Sequence, residues 1–266
     1  MTTIEDGFLL VDKPQGWTSH DVVAKTRGTI GVRKVGHAGT LDPMATGLLV
    51  LGVGRATRLL RFVQEAPKEY VARAMFGVAT DTLDADGAVL SREPLPVAAA
   101  DVDSVMDRFV GPQMQVPPMV SARKVGGKRL YELAREGIEV AREPRPVVIH
   151  ALEMIDFAPS DYPEVEFRVR CSSGTYVRTL ADDLAASLGG RAHLTALRRT
   201  CIGSLAVDRA CALDQIESAA GDGGWQHLLL APRDGLVDLP SIALPADLVQ
   251  AVSNGLRFPV GALGSD

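Results

Sequence analysis

Long apolar runs are missing from this 266-residue chain; its most continuous stretches are as short as Leu48–Leu51. About 18 such residues are needed to cross a bilayer, so no membrane span is expected. The N-terminus (MTTIEDGFLLVDKP) lacks a basic segment ahead of an apolar one and a small-residue cleavage site, which argues against a secretory leader. Cysteine is scarce: Cys171, Cys201 and Cys211 are odd in number and lie 30 and 10 residues apart. That excludes a disulfide framework and a CxxC site, and a reduced, cytoplasmic protein is expected. The five histidines (His20, His37, His150, His193, His227) show neither H-x₃-H nor H-E-x-x-H spacing, so no metal site is expected on them. GVGRAT near Gly52 lacks the lysine of a phosphate loop, and Ser172-Ser173-Gly174 lacks the nucleophile-elbow pattern. Any chemistry must therefore run on carboxylate, phenol and guanidinium.

What is present is an ordinary globular composition, 46% apolar and 23% charged. The net charge of −5 hides an uneven distribution. Residues 13–73 hold ten Lys/Arg to four Asp/Glu, residues 119–150 seven to four, and residues 168–199 six to two. Of the 28 basic residues 22 are Arg, the side chain suited to phosphate forks and to stacking on bases. The same pattern fits a solvated surface of mixed charge.

Gly7–Val11 reads as a short buried strand stopped by Lys13-Pro14-Gln15-Gly16. Thr18 or Ser19 then caps a helix in which Val22, Val23, Thr26 and Ile30 keep a helical period, and Gly31 ends it. Residues 32–47 read as loop and Leu48–Val53 as a central strand. Lys68–Val78, Val147–Phe157 and Val165–Cys171 read as strands, Asp101–Val110 and Thr179–Leu188 as amphipathic helices. The balance is α+β: a mixed, largely antiparallel sheet flanked by helices. Residues 112–146, rich in Pro, Gly and charge, form a long excursion of the kind that carries function. The division expected is 1–230 as one domain with that insertion, and 231–266 as a remnant too short to fold alone.

Thr82-x-Asp84-x-Asp86-Gly87, with Glu93 at the twelfth position, has the outline of a calcium loop. Its first ligand is Thr and no helix enters it, so a turn between strands is expected instead. The densest cluster is GHAGTLDPMATG, residues 36–47. Asp42 stands directly before a proline, which disfavours the helical region, and between glycines that permit close ligand approach. By spacing alone, Asp42 either caps a turn or presents a carboxylate.

GHAGTLDPMATGLL, preceded by VDKPQGWTSHDVV and followed by KEYVARAMFG, TDTLDADG, QVPPMVSARKVGGKRLYELAREG and SSGTYVRTLADDLA, resembles the bacterial TruB-type tRNA pseudouridine-55 synthases. The match runs in order from residue 7 to about 205. The resemblance implies a cofactor-free isomerisation of uridine 55 in the tRNA T-loop, with the target base flipped out of its stack. It implies Asp42 as nucleophile, Arg178 as the arginine that pairs with it, and Tyr70 as the active-site tyrosine. Leu197 in TALRRT would contact the base, and His37 would help hold the opened loop. Arg123, Lys124, Lys128 and Arg129 would grip phosphates from the insertion, continued by Arg142 and Arg145, and set position rather than sequence. The partner implied is the T-arm of tRNA, with no membrane and no obligate protein partner, and 231–266 resembles only the start of a PUA-like RNA-binding domain. Relatives often carry an aromatic where this chain has Val120. Alternatives are a guide-dependent rRNA pseudouridine synthase, a non-catalytic tRNA-folding module, and a carboxylate glycosidase with Asp84 or Asp86 as second acid.

Overall fold

Apolar residues at Phe8, Leu9, Leu10 and Val11 make Gly7–Lys13 (β1) a strand buried on both faces. Thr18 then caps Ser19–Ile30 (α1): its hydroxyl accepts from Asp21 N at 3.1 Å while the Asp21 carboxylate accepts from Thr18 N at 3.0 Å. Gly31 closes that helix in the left-handed region, φ 69°. The computed structural model describes residues 6–120, 124–125, 128–129, 138, 140–244 and 246–255.

The chain continues through Val35–His37 (β2), Thr46–Val53 (β3), Leu60–Glu65 (α2), Lys68–Phe76 (β4), Val78–Thr80 (β5), Val89–Arg92 (β6), Ala99–Phe109 (α3) and Gly111–Gln115 (β7). Next come Lys124–Val125 (β8), Lys128–Arg129 (β9), Arg145–Ala158 (β10), Glu164–Cys171 (β11), Val177–Ser187 (α4), Ala192–Ile202 (β12) and Leu205–Ala206 (β13). Leu213–Gly221 (α5), Leu229–Leu230 (β14) and Ala246–Ser253 (α6) complete it. One sheet runs β14-β1-β3-β12-β4-β11-β10-β7, with β2 beside β3 and β13 beside β12. Its pairs are antiparallel except β3 with β12, where Thr46 faces Arg198 and Gly47 faces Arg199.

Helices cover the sheet where its strands are most apolar. Val22 and Val23 of α1 and Ile216 of α5 pack on Leu9, Val11, Leu49 and Leu51. Leu60 and Val63 of α2 fill the opposite face against Phe8, Leu10, Leu48 and Val50. Val102 and Val105 of α3, with Leu180 and Leu184 of α4, lie over Ala72, Phe76, Val165 and Phe167. The α+β expectation holds, and no helix among the described residues is long and apolar enough to cross a membrane.

Three local expectations need correction. Residues 32–47 are not all loop: Val35–His37 pairs with β3, a strand too short and glycine-diluted to show a pattern. The strand read as Lys68–Val78 breaks at Gly77, whose φ of 82° separates β4 from β5. The eleven residues of β12 escaped the pattern reading because Thr195, Arg198, Arg199 and Thr200 interrupt its apolar face. Of the 35 residues of the excursion, 14 lie outside the described residues, Arg123 among them. For Lys124, Lys128 and Arg129 the structure gives backbone alone, as the short β8–β9 ladder. After Leu230, Leu236 packs beside the Phe8 cluster and Asp238 Oδ2 accepts from Ser204 N at 2.9 Å.

Candidate active site

The Asp42 loop is pinned on both sides of the carboxylate. Leu41, Met44 and Ala45 are buried. The Leu41 N–H donates to Ser19 Oγ at 2.8 Å, and the Ser19 hydroxyl donates back to Leu41 O at 3.2 Å. Gly16 N donates to Pro43 O at 2.8 Å and Ala45 N to Asp42 O at 3.1 Å. Gly47 follows with φ 99°, and a Cβ there would run into the Arg199 backbone. Only glycine lets β3 and β12 approach this closely. Anchored apolar neighbours therefore hold a polar residue at the surface of a cavity, which a turn cap would not require.

Arg178 is the second residue of α4 and is 3% exposed. Its Nε lies 3.0 Å from Asp42 Oδ2, and its Nη1 lies 3.3 Å from Asp84 Oδ2. Nη1 also donates to Thr82 O at 2.6 Å and Nη2 to Val120 O at 2.8 Å. Gln115 at the end of β7 fixes the start of the helix, donating to Tyr176 O at 3.0 Å and accepting from Tyr176 N at 2.7 Å. Asp84 comes from the turn between β5 and β6, the stretch with a calcium-loop outline. That turn holds Leu83 at φ 62°, a strained value for a leucine. It is over-determined by Thr80 Oγ1 to Asp84 O at 2.8 Å and Leu194 N to Leu83 O at 3.0 Å. Among the described residues no cluster of His, Cys, Asp and Glu is arranged to hold a metal.

Strand pairing supplies the far wall. Tyr70 on β4 sits across from Arg199 on β12, and Leu197 shares the face of Arg199 two residues away. Arg198, on the opposite face, forms a fork with Asp12 at 3.0 and 2.7 Å. Arg199 is 1% exposed and spends its donors on carbonyls: Leu48 O at 2.8 Å, Thr40 O at 3.4 Å and Gly39 O at 3.2 Å. Lys13, fully buried, ties Trp17 O at 2.7 Å to Pro14 O at 3.0 Å and Pro43 O at 3.4 Å. The resulting cavity of about 280 Å³ is lined by Asp42, Tyr70, Arg178, Leu197, Arg199 and Lys68, among others.

Burial pushes the Asp42 carboxyl above its ordinary value, the Arg178 guanidinium pulls it back, and the Asp84 charge adds to the rise. Burial also raises the Tyr70 phenol, opposed by Arg199. Lys13 is lowered to about 8, chiefly by burial.

Four residues expected at the site thus meet in one cavity: Asp42, Tyr70, Arg178 and Leu197. His37 stands on β2 outside its lining, edge-on to His20 at 5.2 Å, with burial lowering its pKa. Sequence reasoning gave no site role to Lys13, Lys68, Gln115 or Arg199, and weighed Asp84 only within a calcium-loop outline and as a glycosidase acid. The available signal was their place in the family-like stretches VDKPQG, KEY, TDTLDADG, QVPP and LRRT.

The family described as TruB family pseudouridylate synthase (N terminal domain) matches residues 27–177. A tRNA pseudouridine synthase B of Symbiobacterium thermophilum is 48% identical over 252 residues, 94% of this chain and 82% of that protein. Its counterpart in Geobacillus kaustophilus is 43% identical over 96% of this chain and 92% of its own length. A crystal structure of a Cbf5-Nop10-Gar1 complex superposes with a TM-score of 0.72 at 27% identity, covering 94% of this chain and 67% of that one.

Proposed function

The chain belongs to the TruB family of pseudouridylate synthases, and from that premise we propose that it converts the uridine at position 55 of the tRNA T-loop to pseudouridine, with Asp42 as nucleophile. The reaction moves the ribose bond from a base nitrogen to a base carbon, so substrate and product are isomers. No electron, water or phosphate enters, and the chemistry calls for no cofactor. The target base must leave its stack to reach the cavity.

The observation that carries this reading is the Asp42 carboxylate: Oδ2 is held by Arg178 at 3.0 Å beside a cavity walled by Tyr70 and Leu197. A nucleophilic carboxylate has to be ionised, shielded from bulk water and left with a free oxygen. Arg178 supports the ionised form. Burial raises the carboxyl and so makes that form more basic, at the expense of activity in acid. Tyr70 stacks on the flipped base and its hydroxyl relays a proton, while Leu197 contacts the base edge. His37, outside the cavity, helps hold the opened loop. Arg123, Lys124, Lys128 and Arg129 grip phosphates, and 231–266 contributes to RNA binding beside the 1–230 catalytic domain. A cytoplasmic location follows from the substrate.

Incubation with an unmodified tRNA transcript, followed by mapping of pseudouridine, tests the reading. One pseudouridine at position 55 is expected. None without an added guide RNA, or a product elsewhere, would overturn it.

A further inference from the structure

Among the buried cations lining the cavity that the proposed chemistry does not use is a lysine. Lys68 shares the inward face of β4 with Tyr70, two residues away, and lines the same cavity while only 6% exposed. Its Nζ donates to Ala66 O at 2.7 Å and to Gln64 O, both at the end of α2. An ammonium carries three N–H donors, and no acceptor for the third is found among the described residues. Nor does any carboxylate there form an ion pair with it. The charged neighbour that acts on it is Arg199 on β12, which repels it, and the other titratable group that acts on it is Cys171 on β11. Burial and Arg199 together lower Lys68 to about 8.

A helix C-terminus attracts a cation, and a lysine capping carbonyls needs no further explanation at an exposed end. Here the cap is buried, and holding an unpaired charge out of water is costly. Cations outnumber anions in the lining: Lys68, Arg178 and Arg199 face Asp42. An anion entering the cavity would offset that imbalance, and Lys68 has a spare donor to receive it.

We propose that Lys68 is a substrate-contacting residue whose ammonium binds an anionic oxygen of the flipped nucleotide. This rests on the uridine-isomerase reading above. Two sources share that chemistry: a phosphodiester oxygen beside the target, anionic already on binding, and a uracil oxygen that gains charge as the glycosidic bond breaks.

The experiment compares wild type, Lys68→Met and Lys68→Arg on a tRNA transcript. It measures the single-turnover rate, the tRNA Kd across salt concentrations, and Tm without RNA. If the oxygen is a phosphate, Lys68→Met weakens Kd by about tenfold and flattens the salt slope by about one unit, with the rate at saturating enzyme nearly kept. If it belongs to uracil, the rate falls by about tenfold or more while Kd and salt slope hold. In both cases Lys68→Arg recovers a large part of the loss. Unchanged rate and Kd in Lys68→Met overturn the proposal, as does a loss that tracks a fall in Tm and is equal in Lys68→Arg. A wild-type protein that makes no pseudouridine contradicts the isomerase reading itself and is told apart from these outcomes.

Discussion

Two arginine–aspartate pairs meet at α4, and they use the same chemistry to opposite ends. Arg191 forks Asp182, Nε to Oδ1 at 2.7 Å and Nη2 to Oδ2 at 2.6 Å, and Ala192 N adds a third bond at 3.1 Å. Both oxygens of Asp182 are consumed, and the pair ties the helix to the start of β12. One turn earlier Arg178 takes Asp42 from the side through a single nitrogen. Its remaining donors go to Asp84, Thr82 O and Val120 O, so Asp42 Oδ1 has no protein donor among the described residues. A closed fork makes a strong structural clip. An open, one-sided contact holds a carboxylate in place and leaves an oxygen for chemistry.

Changes that leave Asp42 itself in place sharpen this contrast. The largest effect is expected from Arg178→Lys, since one ammonium cannot serve two carboxylates and two carbonyls at once. The single-turnover rate should fall by about 10³-fold with tRNA Kd nearly kept, whereas Arg191→Lys should lower Tm by a few degrees and spare the rate. A normal rate with weakened binding in Arg178→Lys would put that arginine on the RNA backbone instead. Tyr70→Phe keeps the stacking ring and removes the hydroxyl, and a loss of about 10²-fold is expected if the hydroxyl relays a proton. An unchanged rate would reduce Tyr70 to a platform.

Asp84→Asn gives a smaller and more specific effect. The Asp84 charge raises the Asp42 pKa, so removing it lowers that pKa and moves the acid limb of the rate profile to lower pH. A limb that stays put or moves up would mean that the two carboxylates do not sense each other through Arg178. The smallest effect per residue is expected from Lys124, Lys128 and Arg129 changed together to Ala. The tRNA salt slope should flatten by up to about one unit per lost phosphate contact, and an unaltered slope would remove the excursion from RNA binding.

The sequence reading succeeds where local rules act alone. The helix cap at Thr18 or Ser19, the Gly31 stop and the alternating β11 are short-range patterns, and each forms as expected, the cap at Thr18. It fails at β12, where the two arginines that break the apolar pattern have separate partners: Arg198 goes to Asp12, 186 residues away, and Arg199 to carbonyls near residue 40. Such pairings follow from the parallel contact of β3 with β12 and leave no local trace. Asp84 was hidden for a related reason, because a turn full of aspartates looks solvent-facing until the turn folds back on Arg178. Asp42, Tyr70 and Arg178 were legible through an ordered resemblance, since spacing alone left each open to an ordinary structural role.

The open carboxylate is tested most directly by Asp42→Asn and Asp182→Asn measured side by side, reading tritium release from carbon-5-labelled uridine in tRNA under single-turnover conditions. The account predicts Asp42→Asn below about 1% of the wild-type rate with tRNA binding kept, because the amide has no nucleophilic oxygen. It also predicts a raised Tm at neutral pH. With the folded-state pKa above the unfolded one, stability is lost as pH climbs through that window, and Asn removes the loss. Asp182→Asn is predicted to keep most of its rate and lose several degrees of Tm as the fork opens. Residual turnover above about 1% in Asp42→Asn, or the same loss of rate in both variants, would contradict the account.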